Sequence, residues 1–389
     1  MHFFTSITTN YLPKARVLAA SIKRLVKNSY FILVVSDDLP AGFSLDEEPF
    51  DTVWFVEDIG IQTENLNMWI YMHTVVELCT AVKGQALVKI LEEIKAEKAI
   101  YLDPDTVVFN DLSELDALLD THDIILTPHL CEPENIREAI WDNEVCALQH
   151  GVYNLGFIAV ANRTEGMRFA KWWRDRLNMF CYDDISNGLF TDQRWADLAP
   201  AFFDRVHLLK SPAYNVATWN LSKRRVTGED GNYFVDGLPL KFYHFSGFDS
   251  GANESMMQKY GNSSVNWALR NWYAKAQERT GQSELGRTVC KYMIYENGEV
   301  IPKEHRRILK TRPDVVEYFK DTNPYETTGR CYYLWVLSEL SRSGIAGYTI
   351  ESLKDKRIEE LTRENERLKK YLNPLYLARK IYRKICRRH

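Results

Sequence analysis

The chain has 389 residues, 45% of them hydrophobic and 26% charged, with a formal net charge of −4. This is the composition of a soluble globular protein, either two domains or one large α/β domain with additions, and it excludes a global pull toward nucleic acid. The seven cysteines are scattered without a Cys-x-x-Cys pair, which argues against zinc and a disulfide framework and fits a reducing cytosol.

The N-terminus, MHFFTSITTNYLPK, lacks a basic start and a long apolar core and does not read as a signal peptide. No run of about 18 apolar residues is present to span a membrane. Phe3 to Thr8 reads as a first strand, Asn10 to Pro13 as a turn, and Ala15 to Val26 as a helix with apolar residues at helical spacing. Tyr30 to Ser36 is an unbroken apolar run, hence a strand buried on both faces. Asp51 to Glu57 is a third strand, and Asn65 to Ala81 and Gln85 to Lys95 are helices parted at Gly84. Strands follow at Ala99–Leu102 and Val107–Phe109, a short helix at 111–119, and strands at 123–127 and 152–160. Gly166 to Met179 is helical, Thr191 opens another helix, Ser211 to Asn215 is a loop, and Leu240 to Phe245 is a strand. This order implies an open, mostly parallel, doubly wound α/β sheet whose ligands bind beyond the C-terminal strand ends.

Asp103-Pro-Asp105 stands between two of these strands. Alternate residues of an extended segment point the same way, so both carboxylates can converge on one hard cation, Mg2+ or Mn2+, of the kind that shares its site with phosphates. Asp-Pro-Asp is also ordinary turn chemistry. The apolar strand before it, the β-branched strand after it and the helix start that follows favour the metal.

Tyr101 to Val108 resembles the metal motif of GT-A glycosyltransferases, most closely the retaining family 8 group. Four further pieces appear in that family's order: Thr8-Thr9-Asn10-Tyr11, Tyr153-Asn154-Leu155-Gly156-Phe157, Asp192-Gln193, and Tyr243-His244-Phe245-Ser246-Gly247. Together they cover roughly residues 1–250. The resemblance implies a metal held by Asp103, Asp105 and His244. It implies a nucleotide-sugar donor, with UDP as its nucleotide, contacted by Thr8, Asn10, Tyr11, Lys89, Asp103, Asn154, Gly156 and Gly247. It implies sugar hydroxyls held by Asp192, and Gln193 beside the anomeric carbon in a retaining, same-face transfer. Taken singly these residues have plainer readings: His244 as a core histidine, Asn154 and Gly156 as a bulge, Asp192 as a helix cap, Lys89 as a solvated residue, Trp219 and Tyr214 as packing.

Two departures stand out. Thr8 and Thr9 occupy the place of the acid that reads the base, and the lysine that follows His-Phe-x-Gly is missing from Phe248-Asp-Ser-Gly251. Lys223, Arg224 and Arg225 are candidates to replace it. A sugar-phosphate nucleotidyltransferase is the rival enzyme, but it needs a Gly-rich loop for a triphosphate, and residues 5–13 contain no glycine. A degenerate transferase domain acting as a coiled-coil scaffold is the non-enzymatic rival.

The expected domains are a transferase domain at 1–283, a partly helical appendage at 284–347, a charged helix or short coiled coil at 348–373, and a basic amphipathic tail at 374–389. Ile358, Leu361, Leu368 and Leu372 keep a heptad with Asn365 at an a position, a pattern that can pair two chains. After Pro374 the apolar Leu377, Ile381 and Ile385 alternate with Arg379, Lys380, Arg383, Lys384, Arg387 and Arg388. Such a tail predicts attachment to an anionic membrane at its cytoplasmic face, with docking on a partner protein's acidic groove as the rival. That place suits a glycan or lipid-linked glycan acceptor in surface polysaccharide or glycoconjugate synthesis.

Overall fold

The computed structural model describes residues 1–342. The expected coiled coil and basic tail lie outside the described residues. The described residues form two compact units: Met1–Leu66 with His73–Met293, and Asn67–Met72 with 294–342. Among the described residues, no helix is long and apolar enough to cross a membrane.

The first unit is built on strands β1 (His2–Ile7), β2 (Tyr30–Val35), β3 (Thr52–Phe55), β4 (Lys98–Leu102), β5 (Thr106–Val108), β6 (Ile124–Pro128) and β7 (Tyr153–Ala161). Together with the strand Val206–Leu208, all of these except β5 form one seven-stranded sheet. Its order is 206–208, β6, β7, β4, β1, β2, β3. Neighbours are parallel except at β7, which runs antiparallel to both β4 and β6. The doubly wound α/β sheet expected from the apolar runs is thus present, as a mixed sheet. The runs Phe31–Val35 and Ile124–Leu126 are fully buried, as strands covered on both faces should be.

Helix α1 (Leu12–Leu25) covers one face and meets β1 and β5, burying Leu12, Ala15, Leu18 and Ile22 in the core. The helical pattern from 65 to 95 divides elsewhere than expected. Helices α2 (Leu66–Met72) and α3 (Val75–Glu92) part at His73-Thr74, where Thr74 and Glu77 form a reciprocal capping box. Gly84 lies inside α3 rather than ending a helix. A Cβ there would stand 2.6 Å from the Arg174 Cα, so the glycine lets α3 pack closely on the helix Thr164–Phe180.

The second unit contains the helices Lys303–Thr311, Pro313–Phe319 and Tyr332–Arg342. They enclose Tyr71, Tyr295, Tyr332 and Tyr333, all buried, with the Arg306 guanidinium donating to the Tyr71 carbonyl at 2.6 Å. Apart from Asn67–Met72, it takes up the chain at Ile294. Leu285 packs on the core of the first unit, and the Lys291 amide donates to Asp37 at 3.0 Å.

Candidate active site

Three local structures meet at one rim of the sheet, beyond the C-terminal ends of β1 and β4, where open α/β sheets bind ligands. The first is the turn after β1. Thr9–Tyr11 is a single 3-10 turn, with the Thr8 hydroxyl donating to Asn10 Oδ1 at 2.7 Å. The Thr9 amide donates to Asp37 at 3.1 Å. That acid comes from the end of β2 and is spent on main-chain amides, its Oδ1 accepting from Asp38 and Lys291 as well.

The second is the Asp-Pro-Asp turn between β4 and β5. β5 pairs antiparallel with Phe242–His244 in the register His244↔Thr106, which sets the imidazole beside Asp105. Its Nε2 lies 3.1 Å from Asp105 Oδ1 and 3.7 Å from Asp103 Oδ2. One ligand atom from each of Asp103, Asp105 and His244 falls within 4.8 Å of the others.

The third is the start of β7. Its register with β4 puts Leu102 opposite Phe157, and the Asp103 amide donates to the Gly156 carbonyl at 2.8 Å. Asn154 is the hub. Its Oδ1 accepts from the Gly156 amide at 3.2 Å and from Asn215 Nδ2 at 3.0 Å. The same oxygen lies 3.2 Å from His244 Nδ1. An oxygen can only accept, so Nδ1 carries a proton toward Asn154 and Nε2 is the ring nitrogen that faces the carboxylates. A metal-binding histidine needs this arrangement. Gly156 leaves room for the ring: a Cβ there would stand 2.4 Å from His244 Cε1. Gly156→Ala is therefore expected to displace the imidazole and weaken Mn2+ binding by about 10–100-fold, measured by calorimetric titration; unchanged affinity would contradict this packing.

The electrostatics suit a cation. Burial works to raise the Asp105 carboxyl, but His244 and Lys14 outweigh it and hold it below its usual value. Burial works to lower His244, and the charge of Asp105 overcomes it and raises the imidazole. Without an ion, a proton on His244 supplies the positive charge that two facing carboxylates demand. A divalent cation with oxygen and imidazole ligands would replace it.

Beside this cluster is a cavity of about 340 Å³ lined by Lys83, Asp103, His129, Asn154, Gly156, Asp192, Gln193, Trp219 and His244, among others. Lys83 joins its two sides. The ammonium, 2% exposed, lies 3.3 Å from Asp103 Oδ1 and 2.9 Å from Asp192 Oδ2. It also donates to the Leu155 carbonyl at 3.2 Å and sits 4.1 Å from the Tyr101 ring centroid. Burial raises the Asp192 carboxyl above its usual value despite Lys83. Asp192 occupies the cap position of the helix Gln193–Ala196, yet its side chain makes no capping bond there. Gln193 is held on both sides: its Oε1 accepts from the Leu155 amide at 3.1 Å, and its Nε2 donates to the His150 carbonyl at 2.9 Å. Thr191 and Asn215, which flank the site, both adopt positive φ (45° and 50°), a strain that such sites often retain.

Asp103, Asp105, His244, Asn154, Gly156, Asp192 and Gln193 are therefore brought together, and Thr8, Asn10 and Tyr11 lie on the same rim, Tyr11 feeling the charges of Asp105 and Asp103. Gly247 follows the metal-side strand with φ +70°. Lys89 is not brought there: it pairs with Glu93 at 2.6 Å and faces Trp54. Six residues of helix turn a side chain by about 240°, and Lys83 is the α3 lysine that reaches the acids. Lys223 pairs with Glu134 at 3.7 Å, and Arg224 donates to the Tyr214 carbonyl at 2.7 Å. The Arg225 amide bonds to Asp236. Tyr214 is core, whereas Trp219 stands edge-on to His244 at 5.3 Å.

No family model matches the chain. It is 28% identical to the uncharacterized protein YfnD of Bacillus subtilis (strain 168) over 250 residues, 64% of this chain and 78% of that one. It is 30% identical to YfnF of the same organism over 156 residues, 40% of this chain and 48% of that one. Among solved structures it is similar to the galactosyltransferase LgtC in complex with donor and acceptor sugar analogs (14% identity, 75% of this chain and 98% of that one, TM-score 0.42). It is also similar to the glycosyltransferase GlyE of Streptococcus pneumoniae TIGR4 (17%, 76% and 66%, 0.40) and to mouse xyloside xylosyltransferase 1 (16%, 63% and 97%, 0.37).

Proposed function

We infer that the chain is a metal-dependent glycosyltransferase of the GT-A type. It moves a hexose-type sugar from a nucleoside-diphosphate sugar, UDP-linked in the first instance, to a glycan or lipid-linked glycan. The observation that carries this reading is the convergence of Asp103, Asp105 and His244 with the Lys83–Asp192 pair and Gln193 around one cavity. Asp103, Asp105 and His244 would hold Mn2+ or Mg2+, which when bound supplies charge neutralisation to the departing diphosphate. Tyr11 offers its ring to the base. Asp192, oriented by Lys83, accepts from sugar hydroxyls. Gln193 presents a neutral carboxamide, too weak a nucleophile for double displacement, which favours retention by a same-face route in which a phosphate oxygen of the leaving group takes the acceptor proton.

The test is hydrolysis and transfer from a panel of nucleotide-sugars with and without Mn2+. Release of nucleoside diphosphate that stops with chelator supports the reading; no release from any donor at any metal concentration defeats it. Gln193→Ala is expected to lower turnover about 10–100-fold with little change in donor affinity. NMR of the product should find the donor's anomeric configuration, and an inverted product would rule out the retaining route.

The tail, 374–389, completes the proposal: it holds the enzyme at an anionic cytoplasmic membrane surface where a lipid-linked acceptor resides, and 358–372 pairs two chains. Each basic residue near such a surface contributes about 1 kcal/mol. Full-length protein should float with anionic liposomes in low salt and release in high salt, while a chain ending at 350 stays behind. Equal flotation of both would refute the anchor.

A further inference from the structure

We propose that Lys14 is the diphosphate-binding cation of this site, and that Asp249 is the counter-ion that holds it until a donor arrives; the inference rests on the nucleotide-sugar reading above. Lys14 lies in the first turn of α1, directly after the Thr9–Tyr11 turn. Its side chain is 1% exposed, while that of Asp249, its ion-pair partner, is 46% exposed. This asymmetry is the starting point. Taking an ammonium out of water costs several kcal/mol, and a pair with a half-solvated carboxylate contributes little in return. The pair therefore does not account for a buried lysine, whereas a stronger anion delivered to the same place does.

The surroundings point to where that anion would sit. Lys14 Nζ lies 3.7 Å from the centroid of the Tyr11 ring. The Tyr11 hydroxyl feels the charges of Asp105 and Asp249. Lys14 in turn acts on Asp105. Lys14, Tyr11, Asp249 and Asp105 are thus one cluster on the nucleotide side of the metal ligands.

The charge inventory gives the need. Asp103, Asp105 and Asp192 are balanced by Lys83 and a divalent cation, which leaves nothing to offset the two negative charges of a sugar diphosphate ester, or the further charge that develops as the nucleoside diphosphate departs. Beside Lys83, Lys14 is a cation whose charge reaches Asp105, and its ion-pair partner Asp249 is half-exposed and able to leave. Asp249 sits in the turn between Gly247 (φ +70°) and Gly251 (φ +78°), and a Cβ at Gly251 would meet nothing within 4 Å. A phosphate oxygen takes the place of the Asp249 carboxylate on Lys14, one charge-assisted bond exchanged for another. The cation that the chain lacks after His244-Phe-Ser-Gly247 is thereby supplied from α1, whose Lys14 lies against that same turn.

Calorimetric titration of the full chain in MnCl2 tests this, using UDP, GDP, ADP, CDP and dTDP, then the tightest of them against its own monophosphate. Lys14→Met should weaken the diphosphate about tenfold or more while the monophosphate stays within about threefold. Asp249→Asn should tighten the diphosphate several-fold. Equal loss for both nucleotides, or none, overturns the role of Lys14. An unchanged or weaker diphosphate in Asp249→Asn overturns the counter-ion, and this surface variant decides the matter if Lys14→Met does not fold. A wild-type chain that binds none of the five defeats the glycosyltransferase reading itself, and the inference with it.

Discussion

Asp105→Ala is expected to lower donor turnover by ~10³-fold or more while leaving the metal-free protein as stable as before. The rate effect follows, on the proposed function, from removing a carboxylate that would hold the metal and that faces His244 at 3.1 Å; Lewis-acid assistance is worth several kcal/mol, and about 4 kcal/mol is a thousandfold. The stability effect is small for a specific reason. His244 is raised by the charge of Asp105 against a burial that works to lower it. With the carboxylate gone, the ring releases its proton and remains as a neutral histidine still bonded to Asn154. The measurement is a pair of melts with and without Mn2+. Wild type gains about 2.7 kcal/mol at a hundred times the dissociation constant, and the variant gains almost nothing. A variant that Mn2+ stabilises as much as wild type would remove Asp105 from the metal site.

Lys83→Met should have the largest effect on the fold of any single change in the cavity. Asp192 is 3% exposed and Lys83 is its ion-pair partner at 2.9 Å; breaking a buried pair costs about 3–5 kcal/mol. The cost depends on pH with a definite sign. The folded-state carboxyl of Asp192 is already raised by burial above its unfolded value, and Lys83 is the cause that opposes the rise. In Lys83→Met the folded pKa climbs further, so the folded state binds more protons than the unfolded chain in the window above about 3.9, and stability falls as pH rises through it. Urea denaturation at about pH 4.5 and pH 8 should give a small deficit at the lower value and the full one at the higher. A deficit independent of pH would mean that Lys83 acts through packing on Tyr101 instead. Donor binding should fail at both, because Asp103 and Asp192 lose the group that orients them.

Lys83 also marks where the sequence stops being legible. Strands β1, β2, β4 and β7 were readable because long apolar runs between turns admit few other structures, and the Asp-x-Asp, Asn-x-Gly and His pieces could be placed on strand ends from that frame. Helix α3 offers no such frame. Apolar residues surround it on nearly every side, so periodicity does not say which of its lysines faces a cavity, and Lys89 and Lys83 are equivalent on paper. Gly84 misleads for the same reason: a glycine that admits Arg174 reads like one that ends a helix until the opposing helix is known. Asn215 and Trp219 come from a loop whose path no local pattern encodes, and Lys14 gave no signal because its acid partner is far away in sequence.

The direction of β7 has a consequence for how such a site can change. Because β7 runs antiparallel to β6, the segment joining them leaves the sheet and returns to it at the same end of the strands. That segment contributes Asp142, Asn143, Cys146, Ala147 and His150 to the cavity wall. Lengthening it moves no strand, and each doubling of a flexible loop costs only about 0.6 kcal/mol. One wall of the cavity, apart from the His150 carbonyl that holds Gln193, can therefore be rewritten while Asp103 and Asp105, at the strand ends, and His244 stay where they are.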